Sequence, residues 1–293
     1  MKLKSIFCFL FLISFGTVNT QAQLRLGTGL NLGYGCGAVI DYLSSNYTED
    51  SAGNFTDEVI YGSHAAGLNF GLLLQARICD FGDAEFGFGG FNGRKYTFTS
   101  HESYGVNTVN NEIETQKASG WYLEPMVRLH TNNEGKINYY IRQGLFIGMG
   151  IKNKITNVST YEVDTFYSQM IDWKAVDRGR IAIGYTGELG VAYNPNSNYE
   201  FNLGVNFRGV NVSMKTRSIT DFTQTSMTGS ITTVSGIDTL DVNQKETIYK
   251  KIVTDTDNIT NELPSVQLMD YHTYSTWGIQ LRFIYHFGAA VSR

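Results

Sequence analysis

Between residues 274 and 287, large apolar side chains fall on every second position. Trp277, Ile279, Leu281, Phe283, Tyr285 and Phe287 share one face, against Gly278, Gln280, Arg282, Ile284 and His286 on the other. A period of two belongs to an extended strand, whose side chains alternate between faces. The same alternation recurs over residues 24–42, 66–78, 85–91, 121–130, 137–151, 180–193 and 199–208. It slips at Gly89-Gly90-Phe91, where a bulge is expected, and again at Gly209. Pro125 sits in mid-strand, where it removes one ladder hydrogen bond.

These eight segments are joined alternately by long polar stretches (43–64, 100–118, 153–178 and 216–270) and by short turns (80–83, 131–136 and 194–198). An even strand number with long connections on one side and short ones on the other is the layout of an outer-membrane barrel. The pattern therefore predicts an all-β protein, an eight-stranded antiparallel transmembrane β-barrel with long extracellular loops and short periplasmic turns. Within the last loop, 231–234 and 247–253 are expected to pair as a hairpin standing above the membrane.

The rival is a soluble barrel with its oily face inward. An eight-stranded barrel is only wide enough for side chains to fill it, and it cannot hold the Phe, Tyr, Leu and Ile of all eight apolar faces. The polar faces are also dominated by glycine, which suits a crowded interior better than a solvated surface. Aromatic residues gather near the strand ends: Tyr42, Trp121 and Trp277 on the loop side, Tyr139, Tyr193, Tyr199, Tyr285 and Phe287 on the turn side. Two such girdles mark membrane interfaces.

Composition adds an address. Two lysines, an apolar run from Ser5 to about Val18 and the small-residue exit Thr20-Gln21-Ala22 read as a signal peptide over 1–22, with the barrel over 23–293. Three prolines, thirty-one glycines and 13% aromatic residues suit a β-protein. A formal net charge of −4 argues against nucleic acid as a partner. Cys36 and Cys79 fall near opposite ends of neighbouring strands, so two free thiols are expected.

The strand count, the long-loop/short-turn alternation and the aromatic last strand resemble the OmpA/OmpX-type small outer-membrane barrels, and the very polar loops with the Gln21-Ala22-Gln23 exit resemble the form common in Bacteroidota. The resemblance implies an outer-membrane location in a Gram-negative bacterium, among outer-membrane lipids and lipopolysaccharide. It also implies delivery by the barrel-assembly machinery through a signal like Phe283, Tyr285 and Phe287, here followed by six further residues, Gly288 to Arg293. No peptidoglycan-binding domain is expected.

Charged residues on the polar faces are candidates for the interior. Heights counted from each turn put Glu124, Arg142, Glu188 and Arg282 in one layer and Arg25, Arg77, Glu85, Arg128 and Glu200 in a lower one. Arg208 belongs to the same set, and Glu124 and Arg142 are expected to face each other across one hairpin. Unpaired charges in a narrow lumen are costly, so interlocking Arg–Glu networks are predicted. The alternative is a charge-lined pore for small solutes.

No metal-ligand spacing, phosphate loop or cofactor motif is present, and neither metal nor cofactor is expected. Some barrels of this size modify lipid A, and His101-Glu102-Ser103 with His272 is the one tempting cluster. Neighbours on a strand point opposite ways, so the tripeptide alone cannot make a triad. The expectation is a non-enzymatic barrel acting through its extracellular loops as a binding, adhesion or accessory-subunit protein. A protein partner is expected to engage residues 216–270.

Overall fold

The computed structural model describes residues 26–37, 42–104, 108–131, 136–163, 167–254 and 261–287. The expected signal peptide and Arg25 lie outside the described residues. The strands in chain order are β1 (Leu26–Gly37), β2 (Tyr42–Glu49), β3 (Phe55–Tyr61), β4 (Gly67–Cys79), β5 (Gly82–Gly93) and β6 (Tyr96–Tyr104). Next come β7 (Thr108–His130), β8 (Ile137–Val163), β9 (Tyr167–Gly179), β10 (Ala182–Tyr193), β11 (Tyr199–Gly209) and β12 (Asn211–Thr228). A short helix, α1 (Val242–Lys245), separates β13 (Ile231–Gly236) from β14 (Glu246–Lys250), β15 (Ser265–Leu268), β16 (Tyr271–Thr273) and β17 (Thr276–Phe287).

The chain is all-β, with seventeen strands in one mixed sheet where the alternation predicts eight. The difference lies in the stretches read as loops. Antiparallel pairing runs β1–β4–β5–β7–β8–β10–β11–β17 and returns to β1, a closed circuit. Above it, β7 and β8 continue as one ladder up to Thr108↔Val163. β9 joins β8 and β12 joins β9. β6 pairs with β7 on the other flank, then β2 and β3 follow. Among the described residues, the stretches 43–64, 100–118, 153–178 and 216–270 thus carry paired strands where loops were expected. The expected hairpin within 216–270 does not form: residues 231–236 pair with 223–228, while 246–248 pair with 216–218.

Two irregularities differ from the pattern. Pairing of β5 with both neighbours runs unbroken through Gly89 and Gly90, so no bulge sits there. The apparent slip arises because Phe91 points inward, into an apolar cluster. A bulge lies instead on β8, where Ser119↔Lys152 is followed by Trp121↔Met149, leaving two residues of β8 against one of β7. Gly150 takes φ +59° there, a conformation open to glycine and costly for most residues. Past this bulge the faces of β8 exchange: Phe146 and Gly148 are buried below it, Ile151 and Asn153 above it. Pro125 behaves as expected, for the β7–β8 ladder omits Glu124 and Pro125 between Leu123↔Ile147 and Met126↔Gly144.

Candidate functional site

The closed circuit is inverted relative to a soluble core. Leu30 is 59% exposed and Ile183 69%, whereas Arg142 is wholly buried. Leu68, Phe70, Leu72 and Leu74 of β4, and Phe201, Leu203, Val205 and Phe207 of β11, are likewise exposed. Their alternate neighbours point into the ring, and glycine makes room for them. A Cβ on Gly89 would lie 2.5 Å from the Tyr122 hydroxyl, and one on Gly204 at 2.6 Å from that of Tyr140.

Arginine and carboxylate fill the interior. Arg142 Nε lies 2.6 Å from Glu85 Oε2, and its Nη1 donates to Glu188 Oε1 at 2.9 Å. The Glu85 contact is an ion pair rather than a hydrogen bond, because the Nε–H is not aligned on the carboxylate. Arg282 and the Tyr140 hydroxyl donate to the same Glu188 oxygen. Arg128 Nη1 reaches across the ring to Glu200 Oε1 at 2.5 Å and lies 3.7 Å from Asp83. The Arg128 and Arg142 guanidiniums both lie over the Tyr140 ring, at 4.8 and 4.4 Å from its centre. Nearer the loop side, Arg208 binds Glu124 at 2.7 Å and Asn69 at 2.7 Å, with its guanidinium over Tyr122. Five arginines (77, 128, 142, 208 and 282) face five carboxylates (Asp83, Glu85, Glu124, Glu188 and Glu200). Among the described residues these charges are equal in number.

Most of the expected charges therefore meet, but not in the expected pairs. Glu124 and Arg142 do not face each other; the partner of Glu124 is Arg208 on β11, across the ring, and Arg142 takes Glu85 and Glu188. The two expected layers also merge, since Arg142 ties Glu85 of the lower to Glu188 of the upper. Barrel strands are tilted and staggered, so equal counts from the turns are not equal heights. Arg77 sits at the rim, one-third exposed, 3.4 Å from Asp83. Sequence reasoning missed Asp83, His130 (3.5 Å from Asp83) and His286 (3.4 Å from Glu200). It also missed Tyr140. The inward parity of Asp83, Tyr140 and His286 was the available signal.

The expected girdle residues lie on the outer wall. Trp121, Trp277, Tyr139, Tyr193, Tyr199 and Phe287 are exposed and Tyr285 half-exposed. Trp121 stacks on Phe88 and meets Phe70 edge-on. Tyr199 lies against Phe283 and Tyr285. The side chain of Tyr42 is outside the described residues. Cys36 and Cys79 are free.

The loop-side mouth is capped by an apolar cluster that includes Phe91, Tyr122, Phe146, Ile151, Met214 and Tyr274. Residues 62–66 pass over it, with Ser63, His64, Ala65 and Ala66 all buried. The backbone N–H of His64 donates to Thr273 O at 3.1 Å. His64 Nε2 and His272 Nδ1 are 3.0 Å apart, and His272 Nε2 is 3.1 Å from Asp270 Oδ2. This chain of three is built from residues distant in sequence, so no local pattern could announce it. His101 pairs with Asn111 instead, on the β6–β7 ladder. Among the described residues no group of three or more His, Cys, Asp or Glu is arranged to hold a metal ion.

Burial, and then the neighbouring His272, hold the His64 imidazole down at about 3. Its folded pKa thus lies below the usual 6.5, and the neutral form stabilises the closed segment. That contribution is complete above about pH 6.5 and is lost as the pH falls toward 3. Local opening of residues 62–66 is expected to become more favourable on the order of tenfold between pH 7.5 and 5. Amide hydrogen exchange, corrected for intrinsic rates, reads this directly; unchanged protection at pH 5 would refute it.

No protein-family model matches the chain, and no curated protein is significantly similar to it. Among solved structures, a TodX deltaS2S3 mutant monoaromatic hydrocarbon channel aligns over 90% of each chain. The aligned residues are 8% identical and the TM-score is 0.23, too slight a likeness to carry an argument.

Proposed function

We propose that this chain is a non-enzymatic outer-membrane β-barrel. Its eight-strand circuit spans the bilayer, its lumen is plugged, and it acts through the sheet that rises above the membrane. One observation carries the reading: rows of exposed Leu, Ile, Phe and Val surround an interior of paired Arg and Glu. In water that arrangement exposes far more contiguous apolar surface than a monomer carries. In a bilayer it is the ordinary arrangement of a barrel. Among the described residues no helix is long and apolar enough to cross a membrane.

The plug is supported by ion pairs that bridge strands across the ring, Arg128–Glu200 and Arg208–Glu124. Binding is supported by edges of the extension sheet: among the described residues β3 pairs with β2 alone and β13 with β12 alone. Free backbone groups on such edges accept a partner strand. Two measurements test the proposal. In planar bilayers the barrel should give no steady unitary conductance, and a reproducible ohmic step would replace the plug with a pore. Deleting residues 229–268 should abolish co-purification of a partner from mildly solubilised membranes while leaving the barrel folded.

A further inference from the structure

The extension sheet carries an unusual charge arrangement where it leaves the wall. Past the Gly150 bulge the outward positions of β8 are Lys152 and Lys154, both exposed. Lys154 stands directly opposite Lys117 of β7, and Lys152 directly opposite Arg178 of β9. Lys117 and Arg178 are exposed too, as is Lys215 at the irregularity of β12 beside Arg178. Like charges opposed across a ladder destabilise a sheet.

Among the described residues none of these five forms an ion pair, and two acidic residues of the adjoining strands are engaged elsewhere. Asp177 is turned inward to Arg217 at 2.7 Å, and Asp221 is held by Lys174 at 2.7 Å. The patch also has a defined height. On β8 Lys152 follows Met149 by a single bulge, and on β7 Lys117 lies just beyond Trp121 of the loop-side girdle. Immediately below are the exposed Ile181 and Ile183, the latter opposite Ile147.

We infer that Lys117, Lys152, Lys154 and Arg178, with Lys215 at the margin, form a binding site for the phosphates of an outer-leaflet glycolipid whose acyl chains lie on the wall beneath. The inference rests on the membrane-spanning reading above and names a partner for that wall. Ammonium and guanidinium groups form charge-assisted hydrogen bonds with phosphate, and a bound dianion removes the repulsion within both cross-strand pairs. The Gly150 bulge places the site: without the extra residue, Lys152 and Lys154 would point into the ring.

The test uses detergent-solubilised full-length barrel and native mass spectrometry, with lipid A bearing two phosphates and the same lipid dephosphorylated as probes. Wild-type protein should retain the phosphorylated lipid at least about tenfold more strongly. In K117Q/K152Q/K154Q/R178Q that preference should vanish. The double variant K152E/K154E should lose it as well, yet unfold at an equal or higher denaturant concentration, because each glutamate then faces a cation. Equal retention of the two lipids by wild-type protein would overturn the inference without any variant. So would retention of the phosphorylated lipid undiminished in the variants. Wild-type protein that stays folded and monomeric without detergent would instead sink the membrane reading itself.

Discussion

Replacing Arg142 with methionine is expected to lower the stability of the barrel by about 3–5 kcal/mol. The guanidinium is fully buried and is shared between Glu85 and Glu188. Methionine fills much of the same volume, so the loss comes from two carboxylates left with fewer cations in a site closed to water. Glu188 keeps Arg282 and the Tyr140 hydroxyl. Among the described residues Glu85 keeps Arg128 alone as an ion-pair partner, at 4.0 Å. Most of the penalty should therefore sit on Glu85, and R142M/E85Q should recover a large part of it. The readout is the urea midpoint of refolded barrel, with unfolding followed by heat-modifiable electrophoretic mobility. A midpoint unmoved by R142M would mean that the interior is wetter than these contacts imply.

The second large effect concerns Glu124. Among the described residues Glu124→Ala leaves the buried Arg208 with Asn69 and the faces of Tyr122 and Phe146, and about 3–5 kcal/mol should again be lost. The double replacement E124L/R208M should be much closer to wild type, since removing both members of a buried pair leaves no stranded charge. Arg142 should be indifferent to Glu124, so E124A and R142M should combine nearly additively. A strong coupling between them would restore the pairing across the β7–β8 hairpin that the geometry denies.

That pairing shows how far the chain can be read unaided. Faces were legible wherever one side of a strand is oily: Leu30, Leu72, Leu203 and Leu281 stand outward as their period requires, and Arg142 and Glu188 inward. Partners were not legible, because tilt and stagger decide which inward residues share a height, and alternation carries no record of either. Phe91 misled for a related reason. It is an inward aromatic above the polar zone, where the interior turns apolar, so its parity mimicked a bulge. The true bulge, at Gly150, lay in a run of alternating glycines and left no local mark.

The extension strands were read as loops because neither face carries a continuous apolar row: the buried positions include Asn153, Asn157 and Asp177. Residues 153–163 and 167–178 mix β-branched and polar groups on both faces, so the buried side is not an oily one. Period-two hydrophobicity, the signal relied on elsewhere, vanishes there although the hydrogen-bond ladder continues. Their β propensity, in stretches such as Ile155-Thr156-Asn157-Val158, was the remaining cue. The His64–His272–Asp270 chain had none.

Everything rests on the outward rows meeting hydrocarbon, and the native tryptophans report on this. Trp121 and Trp277 lie on the wall, exposed by 49% and 46%, whereas Trp173 belongs to β9 in the sheet above. Single-tryptophan forms, made by Trp→Phe replacement of the other two, can be reconstituted with lipids brominated along their acyl chains. Strong quenching of Trp121 and Trp277 with little quenching of Trp173 is the predicted result. Wall tryptophans quenched no more than Trp173 would contradict it.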